Sequence, residues 1–80
     1  MKADHPSPGG PNPPSFSEGA RIRCETPFEA FDARVVGRSR GGLWLTLRRD
    51  MGETITVRWS RSSEQWSIVG GAGYWIRLSS

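Results

Sequence analysis

From residue 20 onward, apolar side chains alternate with polar ones at a period of two. Ile22 and Cys24 are framed by Arg21, Arg23 and Glu25. Phe31, Ala33 and Val35 alternate with Asp32, Arg34 and Val36, and Leu43, Leu45 and Leu47 with Trp44, Thr46 and Arg48. Ile55, Val57 and Trp59 interleave with Thr54, Thr56 and Arg58. Trp66 and Ile68 make a shorter run, and Tyr74, Ile76 and Leu78 close the chain. Neighbouring side chains of a strand point to opposite faces, so each run predicts a short strand with one apolar face.

Turn-forming residues punctuate these six runs. Thr26-Pro27 ends the first, because proline cannot donate to a ladder. Gly41-Gly42 and Asp50-Met51-Gly52 supply residues suited to the positive φ angles of tight hairpins. Ser60 to Glu64 reads as a polar connection, with room for one helical turn over Ser62 to Trp66, and Gly70-Gly71-Ala72-Gly73 as a flexible loop. Short strands about ten residues apart predict an all-β fold, a small five- to six-stranded antiparallel barrel or sandwich. Periodicity alone leaves open whether the fifth strand joins the barrel or pairs only with the sixth.

Two indoles fall out of phase with the apolar faces. Trp44 shares its side of the strand with Thr46 and Arg48, and Trp75 faces outward beside Arg77, with Tyr74, Ile76 and Leu78 expected inward. A wet sheet face carrying indoles and guanidinium groups suits planar or anionic ligands.

Composition sets the limits of this picture. The first eighteen residues hold five of the six prolines and one large apolar residue, Phe16, so residues 1–18 are expected to be a disordered tail and residues 19–80 the folded domain. No secretory h-region or membrane-length apolar run occurs, which predicts a soluble, cytoplasmic protein with no membrane partner. A domain of this size is near the lower limit for independent folding. Its one cysteine, Cys24, excludes an intrachain disulfide and a cysteine zinc cage, leaving homo-oligomerisation as a route to added stability.

From residue 19 there are ten arginines, no lysine and six acids, a balance of +4 that favours anionic partners such as nucleic acid or nucleotides. The only histidine, His5, lies in the expected tail, so a Ser-His or Cys-His catalytic pair within the domain is not expected. There is no GxxxxGK[ST] loop, and Cys24 sits on the apolar phase of its strand. The acids Glu25, Glu29 and Asp32 read as solvated charges. No catalytic residue, metal or cofactor is therefore expected. The candidate ligand-binding residues are the polar-phase cations Arg21, Arg23, Arg34, Arg48, Arg58 and Arg77, with Trp44 and Trp75 as stacking platforms.

Two family resemblances bear on this. Phe31 to Leu45 resembles the centre of PilZ domains, small barrels that bind cyclic di-GMP. Their D-x-S-x-x-G motif is matched at Ser39 and Gly42, while Gly37 stands at the aspartate position and the upstream R-x-x-x-R motif has only Arg21 and Arg23. Gly19 to Arg23, with Ala30-Phe31 and Val35-Val36-Gly37, resembles the start of SH3-like barrels, among them the tetrameric type II dihydrofolate reductases. Their V-Q-I-Y motif has no counterpart, Ile55-Thr56-Val57-Arg58 being the nearest strand.

The leading expectation is a non-enzymatic binding module for an anionic, base-containing ligand, single-stranded RNA or DNA first and a cyclic dinucleotide second. The alternatives are an assembly module with Trp44 and Trp75 at a subunit interface, and a small oligomeric enzyme with its site on a symmetry axis.

Overall fold

All six runs fold as strands: β1 (Arg21–Glu25), β2 (Ala30–Arg38), β3 (Trp44–Arg49), β4 (Thr54–Ser60), β5 (Gln65–Ile68) and β6 (Trp75–Ser79). A computed structural model describes residues 13–70 and 72–80. Each strand pairs antiparallel with the next, and β6 returns to β1, closing a barrel in sequence order. The fifth strand belongs to that barrel, since β5 pairs with β4 through Trp59↔Trp66 and with β6 through Trp66↔Ile76.

The alternation becomes an inside and an outside. Ile22, Cys24, Ala33, Val35, Leu45, Leu47, Val57, Trp66 and Ile76 fill the interior, and Phe31, Ile55, Trp59, Ile68 and Leu78 pack around them half-buried. A buried aliphatic or aromatic side chain contributes roughly 1.5–3 kcal/mol, and closure leaves no sheet edge exposed.

Three expectations change. Residues 1–12 of the anticipated tail lie outside the described residues, but Phe16, also assigned to that tail, belongs to the core. It is 9% exposed, its ring centroid 6.5 Å from that of Trp66. Backbone bonds pin the approach: Gly19 N–H donates to Val35 C=O at 2.7 Å and Val35 N–H to Ala20 C=O at 3.0 Å. Arg38 adds a guanidinium bond to Phe16 C=O at 3.3 Å. The folded unit therefore begins before residue 19.

Tyr74 does not point inward. It precedes β6 and is 43% exposed: its C=O still accepts from Ile68 N–H at 2.8 Å, but its ring packs edge-on to the exposed Phe28 at 4.6 Å instead of entering the core. Ser60 to Glu64 does close a turn of helical reach, Glu64 N–H donating to Ser60 C=O at 2.7 Å, but it ends at Glu64 in a positive φ of 56° and Trp66 lies in β5.

The β2–β3 ladder contains a bulge. Val35 pairs with Leu47 and Gly37 with Thr46, leaving Val36 without an opposite residue. An extra residue of this kind bends a strand and increases its twist.

Candidate nucleic-acid interface

Register arranges the outer side chains of neighbouring strands into rows. One row runs Trp44–Arg58–Ser67–Trp75 across β3, β4, β5 and β6. A second runs Arg21–Arg34–Arg48–Thr54 across β1 to β4. Between them lies a row of small residues, Gly37–Thr46–Thr56. The eight candidate residues thus share the outside of the barrel, although their surroundings differ.

Trp44 is 42% exposed, and the Arg58 guanidinium lies 5.6 Å from its ring centroid. At this exposed site the contact is worth about 0.5–1 kcal/mol, and it holds two planar groups together as a platform. The platform opens on a groove of about 490 Å³ whose polar lining is Arg58, Arg61, Ser60, Ser62 and Ser67. No acidic residue lines this groove among the described residues. Its size is that of an ordinary small-ligand site.

Trp75 occupies the same row but a different groove. Strand spacing puts it about 14 Å from Trp44 along the curved sheet. It borders a groove of about 550 Å³ shared with Trp59, Trp66, Leu78 and Pro14, and the Arg77 guanidinium lies 5.5 Å from its centroid.

The remaining arginines divide by partner. Arg23 bonds Asp32 at 3.1 Å, and Arg21 lies 3.2 Å from Asp50 and 3.5 Å from Asp32. Arg77 reaches Glu25 at 3.3 Å. Arg34 donates to Gly19 C=O at 2.8 Å, keeping its charge while fastening the chain entering β1. Arg48 and Arg58 have no carboxylate partner among the described residues, and neither has Arg61. The sequence pattern missed Arg61, Ser60, Ser62 and Ser67. For Ser67 the signal was present, because alternation along β5 sets it outward, opposite Arg58.

Arg49 was also missed. It lies at one end of the barrel with its guanidinium 3.9 Å from the Phe31 centroid, paired with Glu29 at 3.0 Å and Glu53 at 3.5 Å. The hydrogen bond with Glu29 raises its already high pKa.

Ser39 and Gly42, the two PilZ-motif matches, build the β2–β3 turn. The Ser39 hydroxyl accepts from Trp44 N–H at 3.1 Å, and Gly42 N–H donates to Ser39 C=O at 3.0 Å with φ +75°, a conformation glycine adopts freely. Cys24 is fully buried, and burial pushes its thiol up to about 11, with the nearby Asp32 charge acting in the same direction. Such a thiol is a core hydrophobe, since the thiolate is the nucleophile. Hydrogen bonding from Arg23 holds the Asp32 carboxyl below its ordinary range.

His5 lies outside the described residues. Among the described residues, no His, Cys, Asp and Glu side chains gather as a metal-binding group, and no helix is long and apolar enough to cross a membrane. No family model, curated protein or solved structure matches the chain.

Proposed function

We propose that this barrel is a binding module for single-stranded nucleic acid, with the Trp44–Arg58 groove as the base-binding site. One observation carries the reading. An exposed indole and two arginines without carboxylate partners line one groove that has hydroxyls but no acid among its described lining residues. Base–aromatic stacking contributes about 1–3 kcal/mol per base, and unpaired guanidinium groups supply phosphate neutralisation. Trp75 offers a second platform farther along the strand's path.

Arg21, Arg23 and Arg77 contribute less to this reading, because neighbouring carboxylates already answer their charge. The cyclic dinucleotide alternative has less support, since the turn accounts for Ser39 and Gly42. Binding without catalysis is favoured by the protonated, buried Cys24 thiol and by the engagement of Glu25, Glu29 and Asp32 with arginines. Whether the ancestry of the barrel is SH3-like or PilZ-like does not alter this proposal.

The test is a titration of a fluorescein-labelled mixed-sequence single strand, followed by anisotropy at two salt concentrations. Saturable binding that weakens linearly in log–log salt is expected, the slope counting neutralised phosphates. Absence of binding at low salt would remove nucleic acid as the ligand.

A further inference from the structure

The outer face of β3 carries three kinds of group in a fixed order. Trp44, Thr46 and Arg48 follow one another on the same side, Trp44 and Arg48 about 13 Å apart and Thr46 midway. The neighbouring strand extends each level: Arg58 stands opposite Trp44, Thr56 opposite Thr46 and Thr54 opposite Arg48.

At the Arg48 level, Arg34 stands directly opposite on β2, and Arg21 opposite Arg34 on β1. Like charges facing each other across strands destabilise a sheet. Arg21 is relieved by Asp50 and Asp32, but Arg34 has only a carbonyl partner and Arg48 no partner among the described residues. An anion held between Arg34 and Arg48 turns that repulsion into two charge-assisted bonds.

The middle level has a different chemistry. The hydroxyls of Thr46 and Thr56 have no hydrogen-bond partner among the described residues, and both residues are half-buried. Gly37 keeps this floor open: a Cβ there would lie 3.8 Å from Thr46 Cβ and 3.9 Å from its Oγ1, so a larger side chain would cover the hydroxyl. The succession of indole, hydroxyl and guanidinium matches base, sugar and phosphate.

We propose that β3 and β4 read a ribonucleotide unit, making the ligand RNA rather than DNA, with the base on Trp44, the 2′-hydroxyl at Thr46 and Thr56, and the phosphate between Arg48 and Arg34. This rests on the nucleic-acid reading above. The 2′-hydroxyl, donor and acceptor at once, distinguishes RNA from DNA, and a threonine hydroxyl complements it in either role.

The experiment compares binding of the whole 80-residue chain to RNA and DNA strands of one sequence containing only adenine and cytosine, at matched salt. RNA binds about fivefold tighter, the worth of one hydrogen bond in this setting. The double variant Thr46→Val, Thr56→Val weakens RNA alone and equalises the two strands. Valine keeps the branched shape and suits a strand, and an unchanged thermal midpoint verifies the fold. Gly37→Val, which covers Thr46 from β2 without altering either threonine, gives the same equalisation. Arg48→Gln weakens both strands alike and lowers the salt slope by about one. Equal affinity of the wild-type protein for RNA and DNA, or a preference that survives the double variant, overturns the ribose assignment and leaves nucleic-acid binding standing. No binding of either strand overturns both.

Discussion

The two sides of this barrel use one residue type for opposite purposes. On β1 and β2 the arginines fasten the fold: Arg21 and Arg23 meet Asp32 and Asp50, Arg38 holds the carbonyl of Phe16, and Arg34 holds that of Gly19 while keeping its charge. Around β3 and β4, Arg49 at the strand end is paired with Glu29 and Glu53, but Arg48, Arg58 and Arg61 meet no carboxylate among the described residues, and Arg58 lies over an indole. Net charge therefore says little about where a basic protein binds. What matters is which cations the fold has already neutralised, and that is a property of cross-strand register.

The sharpest division is expected for stability. Phe16→Ala on the fastened side removes a core ring and costs about 3 kcal/mol by denaturant titration. A wild-type-like midpoint would return Phe16 to the tail and detach it from the barrel.

Trp44→Ala is the reciprocal change. It lowers single-strand affinity by about 1–3 kcal/mol, while stability falls by no more than about 1 kcal/mol, the worth of the exposed contact with Arg58. Loss of stability with unchanged affinity would make Trp44 a structural residue and erase the contrast between the two sides.

Smaller effects follow from moving a cation between the two classes. Glu25→Gln frees Arg77 beside Trp75, so affinity rises while stability falls, each by less than about 1 kcal/mol, because exposed pairs are weak. A steeper salt slope for this variant would show the released guanidinium at work.

The smallest predicted change concerns acid. The folded state depresses the Asp32 pKa, chiefly through the bond from Arg23, so the folded state binds its proton less tightly than the unfolded chain. The resulting stabilisation is present above about pH 4, the ordinary aspartate value, and is lost as pH falls through the lowered one. Asp32→Asn flattens this part of the acid unfolding profile.

All six strands and the inward set from Ile22 to Ile76 were legible, since a period of two survives wherever one face is buried. Phe16 was not, because a lone aromatic among prolines carries no period and joins the core only through long-range contacts. Tyr74 was misplaced by extending the β6 alternation back into a glycine-containing loop. For the site, Trp44, Arg48 and Arg58 could be read as outward-facing from their own strands. Their rows could not, because pairing Trp44 with Arg58 or Arg34 with Arg48 requires the ladder. Which arginine meets which acid depends on contacts such as Arg21 with Asp50, 29 residues apart.

The unpaired Val36 also bears on how this strand can change length. Losing a residue from a strand ordinarily turns everything beyond it inside out. Here the surplus residue stands outside the count, so excising Val36 would leave Val35 facing Leu47 and Gly37 facing Thr46, as they do now. The pairing scheme is thus insured against a one-codon deletion at this position, and only the curvature that the bulge imparts is exposed to it.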